Sequence, residues 1–237
     1  RTFIGSQEFI NAKQRRCIWI EENEYPEAKL NPWLQERFKL VDQKRNNSGR
    51  KTTKELAKYP YRFGEVRQTG NERCIVIPRC SSENRDYLPV GVVNSGTIIG
   101  DRNFAIFNAP LWNMALIASR LHWIWISTVC GKLKTDLLYS NTIGWNTFPI
   151  PKLTKNNKEN LNNCANEILL ARESHFPKSI AQIYKKDDFP ENVKNAHFLN
   201  DEVVEQLYIG RSFKNDTERI EKLFDLYYKN INKKNSF

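Results

Sequence analysis

The fold of this chain is decided by residues 101–151, which read DRNFAIFNAPLWNMALIASRLHWIWISTVCGKLKTDLLYSNTIGWNTFPIP. The stretch contains four of the six tryptophans and the only methionine. Between Leu111 and Cys130 almost every residue is apolar, which predicts a single helix buried on nearly all sides. Arg120 and His122 lie at its middle, so the pattern does not indicate a membrane span. We therefore expect a central buried helix around which the rest of the chain packs.

The two ends of this predicted helix are marked by residues typical of helix boundaries. Asn108 can cap its N-terminus, and Gly131 is expected to end it. Beyond Gly131, the polar residues Lys132, Lys134 and Asp136 alternate with leucine and threonine. Side chains two residues apart in an extended segment point to the same side. We therefore predict a short extended segment that presents Lys134 and Asp136 together.

The positive charge of the chain is unevenly distributed. The 237 residues carry a net charge of +10. Residues 1–151 hold 22 Lys and Arg against 14 Asp and Glu, whereas residues 152–237 hold 15 against 13. A basic excess confined to one part of a protein favours a polyanionic partner such as nucleic acid. The alternative is a lysine-rich solvated surface with no specific partner.

One cluster of basic residues is a candidate site for phosphate contacts. It follows a helix predicted from Pro32 onward and lies in the segment DQKRNNSGRKTTKELAKYP, residues 42–60. We predict that this cluster, together with the first lysine after the central helix, binds DNA phosphates through Lys44, Arg45, Arg50, Lys51, Lys54 and Lys132. The alternative interpretation is a solvated helical face.

The sequence offers no pattern of catalytic or metal-binding residues. It has no glycine-rich phosphate loop, no GxSxG and no HExxH motif, so we predict no catalytic residue and no metal site. The five cysteines include no CxxC pair, and the three histidines are far apart. These features predict reduced thiols of a cytoplasmic protein, not a disulfide framework or a zinc site.

The composition divides the chain into two parts. Residues 152–237 contain no tryptophan and show helical periodicity. Helices are predicted there at about 157–173, 193–207 and 217–228. Residues 1–151 combine strand-like runs such as CIVI (74–77) with the central helix. We therefore predict an α+β protein, with a mixed sheet-and-helix domain at residues 1–151 and a small all-helical domain at residues 152–237.

Six segments share their order and spacing with one protein family. They are GSQEFIN (5–11), CIWIEE (17–22), YPYRFGEVRQ (59–68), IPRCSSENRDYLPVG (77–91), NAPLWNMALIASRLHWIWISTVCGKLKTDLLYSNT (108–142) and WNTFPIP (145–151). Together they make the chain resemble the C-terminal part of MmeI-like enzymes, which join adenine-specific DNA methylation to restriction cleavage in one polypeptide. The resemblance implies a target recognition domain at residues 1–151 and a helical C-terminal domain at residues 152–237.

The resemblance also implies roles for individual residues. In this family the segment after the buried helix reads a base pair, which makes Lys134 and Asp136 base-reading residues. A G·C pair suits them, because guanine presents O6 and N7 acceptors and cytosine presents an N4 donor in the major groove. By spacing, Arg79 and Asp101 fall where the family has a second reading pair, with Arg102 adjacent.

The resemblance further implies that the chain acts with domains it does not contain. The chain begins at Arg1 and has Met114 as its only methionine, so we interpret it as a fragment of a longer bacterial protein. We expect no cofactor in this chain, and S-adenosylmethionine and Mg²⁺ in the nuclease and methyltransferase domains that precede it in the family. The expected partners are double-stranded DNA and those domains, with no membrane.

Two other classes of function are compatible with the sequence. An RNA-binding module would also use a basic surface and the aromatic residues at 59–63. A structural or assembly domain would carry the basic surface incidentally. Competition between duplex DNA, RNA and single strands separates the first alternative from DNA recognition, and failure to bind any DNA at low salt would indicate the second.

Overall fold

The computed structural model describes residues 1–235, with side chains as far as Asn232; residues 236–237, at the end of the predicted helical domain, lie outside it. The N-terminal part contains β1 (Thr2–Ile4), α1 (Ser6–Asn11), α2 (Tyr25–Ala28), α3 (Pro32–Asn46) and α4 (Lys51–Glu55). A sheet-rich part follows with β2 (Cys74–Pro78), β3 (Cys80–Ser81), β4 (Gly91–Val93), β5 (Thr97–Ile99) and β6 (Asn103–Phe107). The central part contains α5 (Trp112–Ile117), α6 (Arg120–Val129), β7 (Gly131–Leu133) and β8 (Asp136–Leu138). The C-terminal part contains α7 (Lys155–Glu173), α8 (Ile180–Ile183), α9 (Glu191–Ile209) and α10 (Asp216–Asn235). Short 3₁₀ turns lie at Leu56–Lys58 and Lys186–Asp188, and a π-helical turn lies at Asn141–Trp145. The predicted α+β class is confirmed.

Three small sheets support the part of the chain that precedes residue 152. β2 lies at the centre of one sheet, antiparallel to both β4 and β6, and all five of its residues are buried. β1 pairs in parallel with β5, and β8 lies between β3 and β7 in an antiparallel sheet. Since only Arg79 separates β2 from β3, a single residue connects the central sheet to the sheet that contains β8.

The predicted single helix is in fact two helices, α5 and α6, which meet at Ser119. Ser119 is fully buried and has an extended backbone, with φ −80° and ψ 155°. Its hydroxyl donates to the Leu116 carbonyl at 2.7 Å and accepts from the His122 backbone N–H at 3.2 Å. A serine placed in this way satisfies backbone groups that the break would leave unpaired. The prediction of one continuous helix is therefore wrong.

The ends of the buried helical region also differ from the prediction. Asn108 has a positive φ of 49° and donates its backbone N–H to the Arg73 carbonyl at 2.8 Å, so it ends a strand and does not cap a helix. α5 begins at Trp112, α6 ends at Val129, and Gly131 is the first residue of β7. The buried helix thus leads almost directly into a strand. Of the helices that the structure describes, none is long and apolar enough to cross a membrane.

One hydrophobic core joins the two parts of the chain. α5 packs against α7 and α9, and α6 packs against α9 and α10, which confirms the three predicted C-terminal helices. Leu161, Ile168 and Leu223 are fully buried in the same cluster as Leu116 and Ile126. Burying such a side chain stabilises a protein by about 1.5–3 kcal/mol. The C-terminal helices therefore help to hold the central helices, and through them the strands that follow.

Candidate nucleic-acid interface

The segment that follows α6 folds into a β-hairpin, residues 131–138. Leu133 pairs with Asp136, which leaves Lys134 and Thr135 as a two-residue turn. Lys134 has a φ of 58°, as the first central residue of a tight hairpin turn requires. The prediction of one extended segment is therefore wrong. Lys134 lies exposed at the tip, whereas Asp136 lies on the returning strand.

The carboxylate of Asp136, the first residue after the hairpin turn, is held by a hydrogen bond from the protein. Its Oδ1 accepts the backbone N–H of Glu83 at 3.3 Å. Asp136 is half-buried, and its neighbour Leu137 is buried on the other face of β8. Among the described residues, Lys134 forms no ion pair with Asp136. The lysine is therefore available for an external acceptor, while the aspartate is oriented by the protein.

The second predicted reading pair lies beside the hairpin. Arg79 donates its backbone N–H to the Arg102 carbonyl at 3.1 Å and accepts the backbone N–H of Tyr139 at 2.8 Å. Asp101 and Arg102 are exposed and their side chains lie 3.9 Å apart as an ion pair. Because Tyr139 directly follows β8, these backbone bonds place Arg79 next to the end of the returning strand of the hairpin, with Arg102 beside it.

The predicted phosphate-contact residues do not all share one role. Arg45 donates to the carbonyl oxygens of Leu56, Tyr59 and Arg62 at 2.9, 2.6 and 2.7 Å. Burial lowers the pKa of Arg45, and the charge of Arg62 lowers it further. Arg45 therefore holds residues 56–62 against α3, and its role as a phosphate contact stays a prediction. The remaining basic side chains of the prediction are exposed: Lys44, Arg50, Lys51, Lys54 and Lys132.

These exposed basic residues belong to a different part of the surface from the hairpin. α3 and α4 pack on each other and on residues 56–58, whereas the hairpin packs on β3. Lys132 is the exception, because it lies on β7 within the hairpin. The structure therefore presents two basic regions, one on α3 and α4 and one around the hairpin.

The loop that supports Asp136 was not among the features predicted from the sequence. This loop, residues 82–85, follows β3 and includes Glu83 and Arg85. Arg85 is half-buried and donates to the Ser81 hydroxyl at 3.3 Å. Burial lowers the pKa of Arg85, and the negative charge of Asp136 opposes that effect. Glu83 and Asp136 are 53 residues apart in the sequence. The local sequence feature that could have indicated a loop here is the polar segment SSENRD, residues 81–86.

Several titratable groups of the interior are engaged in structural contacts. His122 is fully buried, burial lowers its pKa to about 3, and its Nε2 lies 3.2 Å from the Tyr139 hydroxyl. All five cysteines are free thiols. Within the part of the chain that the structure describes, no group of His, Cys, Asp or Glu is arranged to hold a metal ion.

Comparisons with known proteins agree with this geometry. Residues 1–152 match the family described as the MmeI target recognition domain, and residues 153–234 match the MmeI C-terminal domain. The chain is 38% identical over 227 residues to DNA methyltransferase A of Bacillus subtilis (strain 168). The aligned region covers 96% of this chain and 26% of that protein. It superposes with a TM-score of 0.91 and 30% identity on the type IIL restriction-modification enzyme MmeI in complex with DNA, covering 97% of this chain and 30% of that one. The chain thus spans less than a third of the length of either relative.

Proposed function

This chain belongs to the MmeI family, whose target recognition and C-terminal domains it contains, and on that premise we propose that it recognises a specific sequence of double-stranded DNA. The observation that carries this proposal is the superposition of 97% of the chain on an enzyme whose structure was solved with DNA. The exposed hairpin supplies the physical means, because a two-stranded β-ribbon fits the major groove of B-DNA.

In this proposal the hairpin reads one G·C pair. Lys134, exposed at the tip, donates to the O6 and N7 acceptors of guanine, and Asp136 accepts from the N4 amino group of cytosine. The bond from Glu83 orients the carboxylate in advance, which limits the side-chain entropy lost on binding. Arg79 and Asp101 read a second pair, with Arg102 beside them.

The exposed basic residues supply affinity that does not depend on sequence. Contacts between cationic side chains and phosphates release counterions, and each contact adds about 0.9 to the slope of binding against salt concentration. We assign this role to Lys44, Arg50, Lys51, Lys54 and Lys132. The proposal follows from their exposure and from the basic excess of residues 1–151.

The chemistry performed on the DNA belongs to other parts of a longer polypeptide. We propose that this polypeptide methylates adenine using S-adenosylmethionine and cleaves DNA using Mg²⁺, while this chain selects the site. The names of the two relatives, a DNA methyltransferase and a restriction-modification enzyme, support this proposal. The purified 237-residue chain should then transfer no methyl group from S-adenosylmethionine and should leave duplex DNA uncut.

A competition assay tests the proposed recognition. The chain is incubated with a pool of randomised DNA duplexes, bound duplexes are sequenced, and the enriched duplex is challenged with RNA and single-stranded DNA. Enrichment of one short sequence, and displacement by that duplex alone, would support the proposal. Equal displacement by RNA would favour an RNA-binding module, and no binding at low salt would favour a structural domain.

A further inference from the structure

A polar cleft lies between the loop of residues 82–85 and the segment of residues 181–187. It encloses about 380 Å³. Ser82, Asn84 and Arg85 line one wall, and Tyr184, Lys185 and Lys186 line the other. One wall therefore comes from the target recognition domain and the other from the C-terminal domain. None of the site residues predicted from the sequence lies in the C-terminal domain.

Buried hydrogen bonds fix the second wall against the target recognition domain. Arg172 donates from Nη1 to the Val90 carbonyl at 2.5 Å and from Nε to the Tyr184 hydroxyl at 2.7 Å. The Tyr184 hydroxyl lies 2.6 Å from Nε2 of His197, whose Nδ1 lies 3.2 Å from the Ala118 carbonyl. These residues connect the segment before Lys185 to two points of the target recognition domain. The cleft is thus part of the folded structure and not a gap between independent bodies.

The first wall of the cleft is continuous with the hairpin. Ser81 pairs with Leu137 in the sheet, and Glu83 donates its backbone N–H to Asp136. The cleft therefore opens beside the residues that we propose to read a base pair. Because the major groove is about 12 Å wide, a hairpin inserted in it has a sugar–phosphate strand close on either side.

The charges of the cleft suit a phosphate. Arg85, Lys185 and Lys186 contribute three cationic groups, and Asp187 contributes one carboxylate. Lys185 and Lys186 are exposed, and within the described residues neither forms an ion pair, whereas the nearby Lys178 lies 3.9 Å from Asp188. Cationic side chains without an internal partner beside a DNA-reading element favour an external oxyanion.

We propose that this cleft binds a backbone phosphate of the duplex that the hairpin reads, so that the C-terminal domain holds the DNA jointly with the target recognition domain. This inference rests on the proposed function. A phosphate contact carries no sequence information, so Lys185 and Lys186 should affect affinity and its salt dependence without affecting site preference.

The test compares two double variants of the 237-residue chain. K185A/K186A removes the unpaired lysines of the cleft, and the control K178A/K229A removes two exposed lysines that have internal partners. Binding to the preferred duplex and to a duplex with one changed base pair is measured at several salt concentrations. Unfolding midpoints of both variants verify that each is folded, as expected for exposed positions.

K185A/K186A should weaken binding to both duplexes by the same factor and flatten the salt slope by about 0.9, the contribution of one phosphate contact. The control should change the slope by less than half as much. An unchanged slope in K185A/K186A, or an equal change in the control, would overturn the inference while leaving sequence recognition intact. Absence of sequence preference in the unmodified chain would overturn the proposed function and this inference together.

Discussion

The hairpin of residues 131–138 and the junction between the two family domains use polar residues in opposite ways. At the hairpin, Lys132 and Lys134 are exposed, and the carboxylate of Asp136 accepts the backbone N–H of Glu83. At the junction, Arg172 and His197 are buried and hydrogen-bonded to backbone carbonyls across the domain boundary. The junction therefore supports the fold, and the hairpin tip is free to vary.

This difference indicates which residues can be substituted to change DNA recognition without loss of stability. A buried polar group that loses its partner costs about 1–3 kcal/mol, and more when it is charged. Substitutions of exposed side chains usually alter stability by less than about 0.5 kcal/mol. We therefore expect junction variants to unfold more easily with unaltered base preference, and variants of the exposed Lys134 to alter base preference with unaltered stability.

The largest expected effect is at Arg172. Arg172→Ala removes the bonds to Val90 and Tyr184 and leaves a cavity, so the free energy of unfolding should fall by about 3–5 kcal/mol. Urea unfolding of the variant measures this loss. The adjacent Glu173→Ala, at an exposed position of the same helix, is the control and should lie within about 0.5 kcal/mol of the unmodified chain. A similar small loss at Arg172 would show that the junction does not depend on this network.

The next effect is a pH dependence at Asp201. Burial raises the pKa of this carboxyl to about 7, although it accepts the Arg120 N–H at 2.7 Å and the Tyr87 hydroxyl at 2.8 Å. Its folded pKa is above its unfolded value of about 3.9, so the folded state binds more protons. Its contribution to stability is full below about pH 4 and is lost as the pH rises towards 7.

The variant Asp201→Asn removes this titration. As the pH rises from 4 to 7, the free energy of unfolding of the variant should increase by about 2–4 kcal/mol relative to that of the unmodified chain. The size follows because one pKa unit corresponds to about 1.4 kcal/mol. Comparing the two proteins cancels the opposite contribution of His122, whose lowered pKa reduces stability as the pH falls below about 6.5. Asp225→Asn, at an exposed carboxylate paired with Lys229, is the control. A constant difference between variant and unmodified chain over this range would contradict the prediction.

Two neighbouring basic residues, Arg45 and Lys44, distinguish a side chain that stabilises the fold from one that contacts DNA. Arg45→Ala removes three bonds to carbonyl oxygens and should lower the free energy of unfolding by about 2 kcal/mol. Lys44→Ala should leave stability unchanged but flatten the salt slope of DNA binding by about 0.9. Urea unfolding and salt-dependent binding of both variants test this. Stability unchanged by Arg45→Ala, together with a flatter slope, would show that Arg45 contacts phosphate and does not hold residues 56–62.

The sequence predicted the features that depend on local periodicity. The helices near 157–173, 193–207 and 217–228 are present because their apolar residues recur at helical spacing and find one core. Asn31 caps α3 by accepting the backbone N–H groups of Trp33 and Leu34, as a helix starting at Pro32 requires. Such features need only residues that are close in the chain.

The features that the sequence missed depend on distant contacts or on unusual turn residues. Ser119 interrupts a mostly apolar stretch that periodicity alone assigns to one helix. The hairpin turn uses Lys134 at a positive φ, where Asn or Gly would have given a clear signal. The support of Asp136 by Glu83 comes from 53 residues away. The sequence thus marked Lys134 and Asp136 as candidate site residues but did not predict the hairpin that holds them.

The central claim is that the hairpin reads a base pair through Lys134 and Asp136. K134E/D136R reverses the donor and acceptor groups, so the base pair preferred at one position of the site should invert from G·C to C·G, with a wrong pair costing about 1–3 kcal/mol. Each single change should only weaken recognition, because it leaves two like charges facing one base pair. The measurement is the sequence enriched from randomised duplexes by the double variant. An inverted pair at one position, with an unchanged salt slope, is the predicted result; an unchanged site would contradict the account.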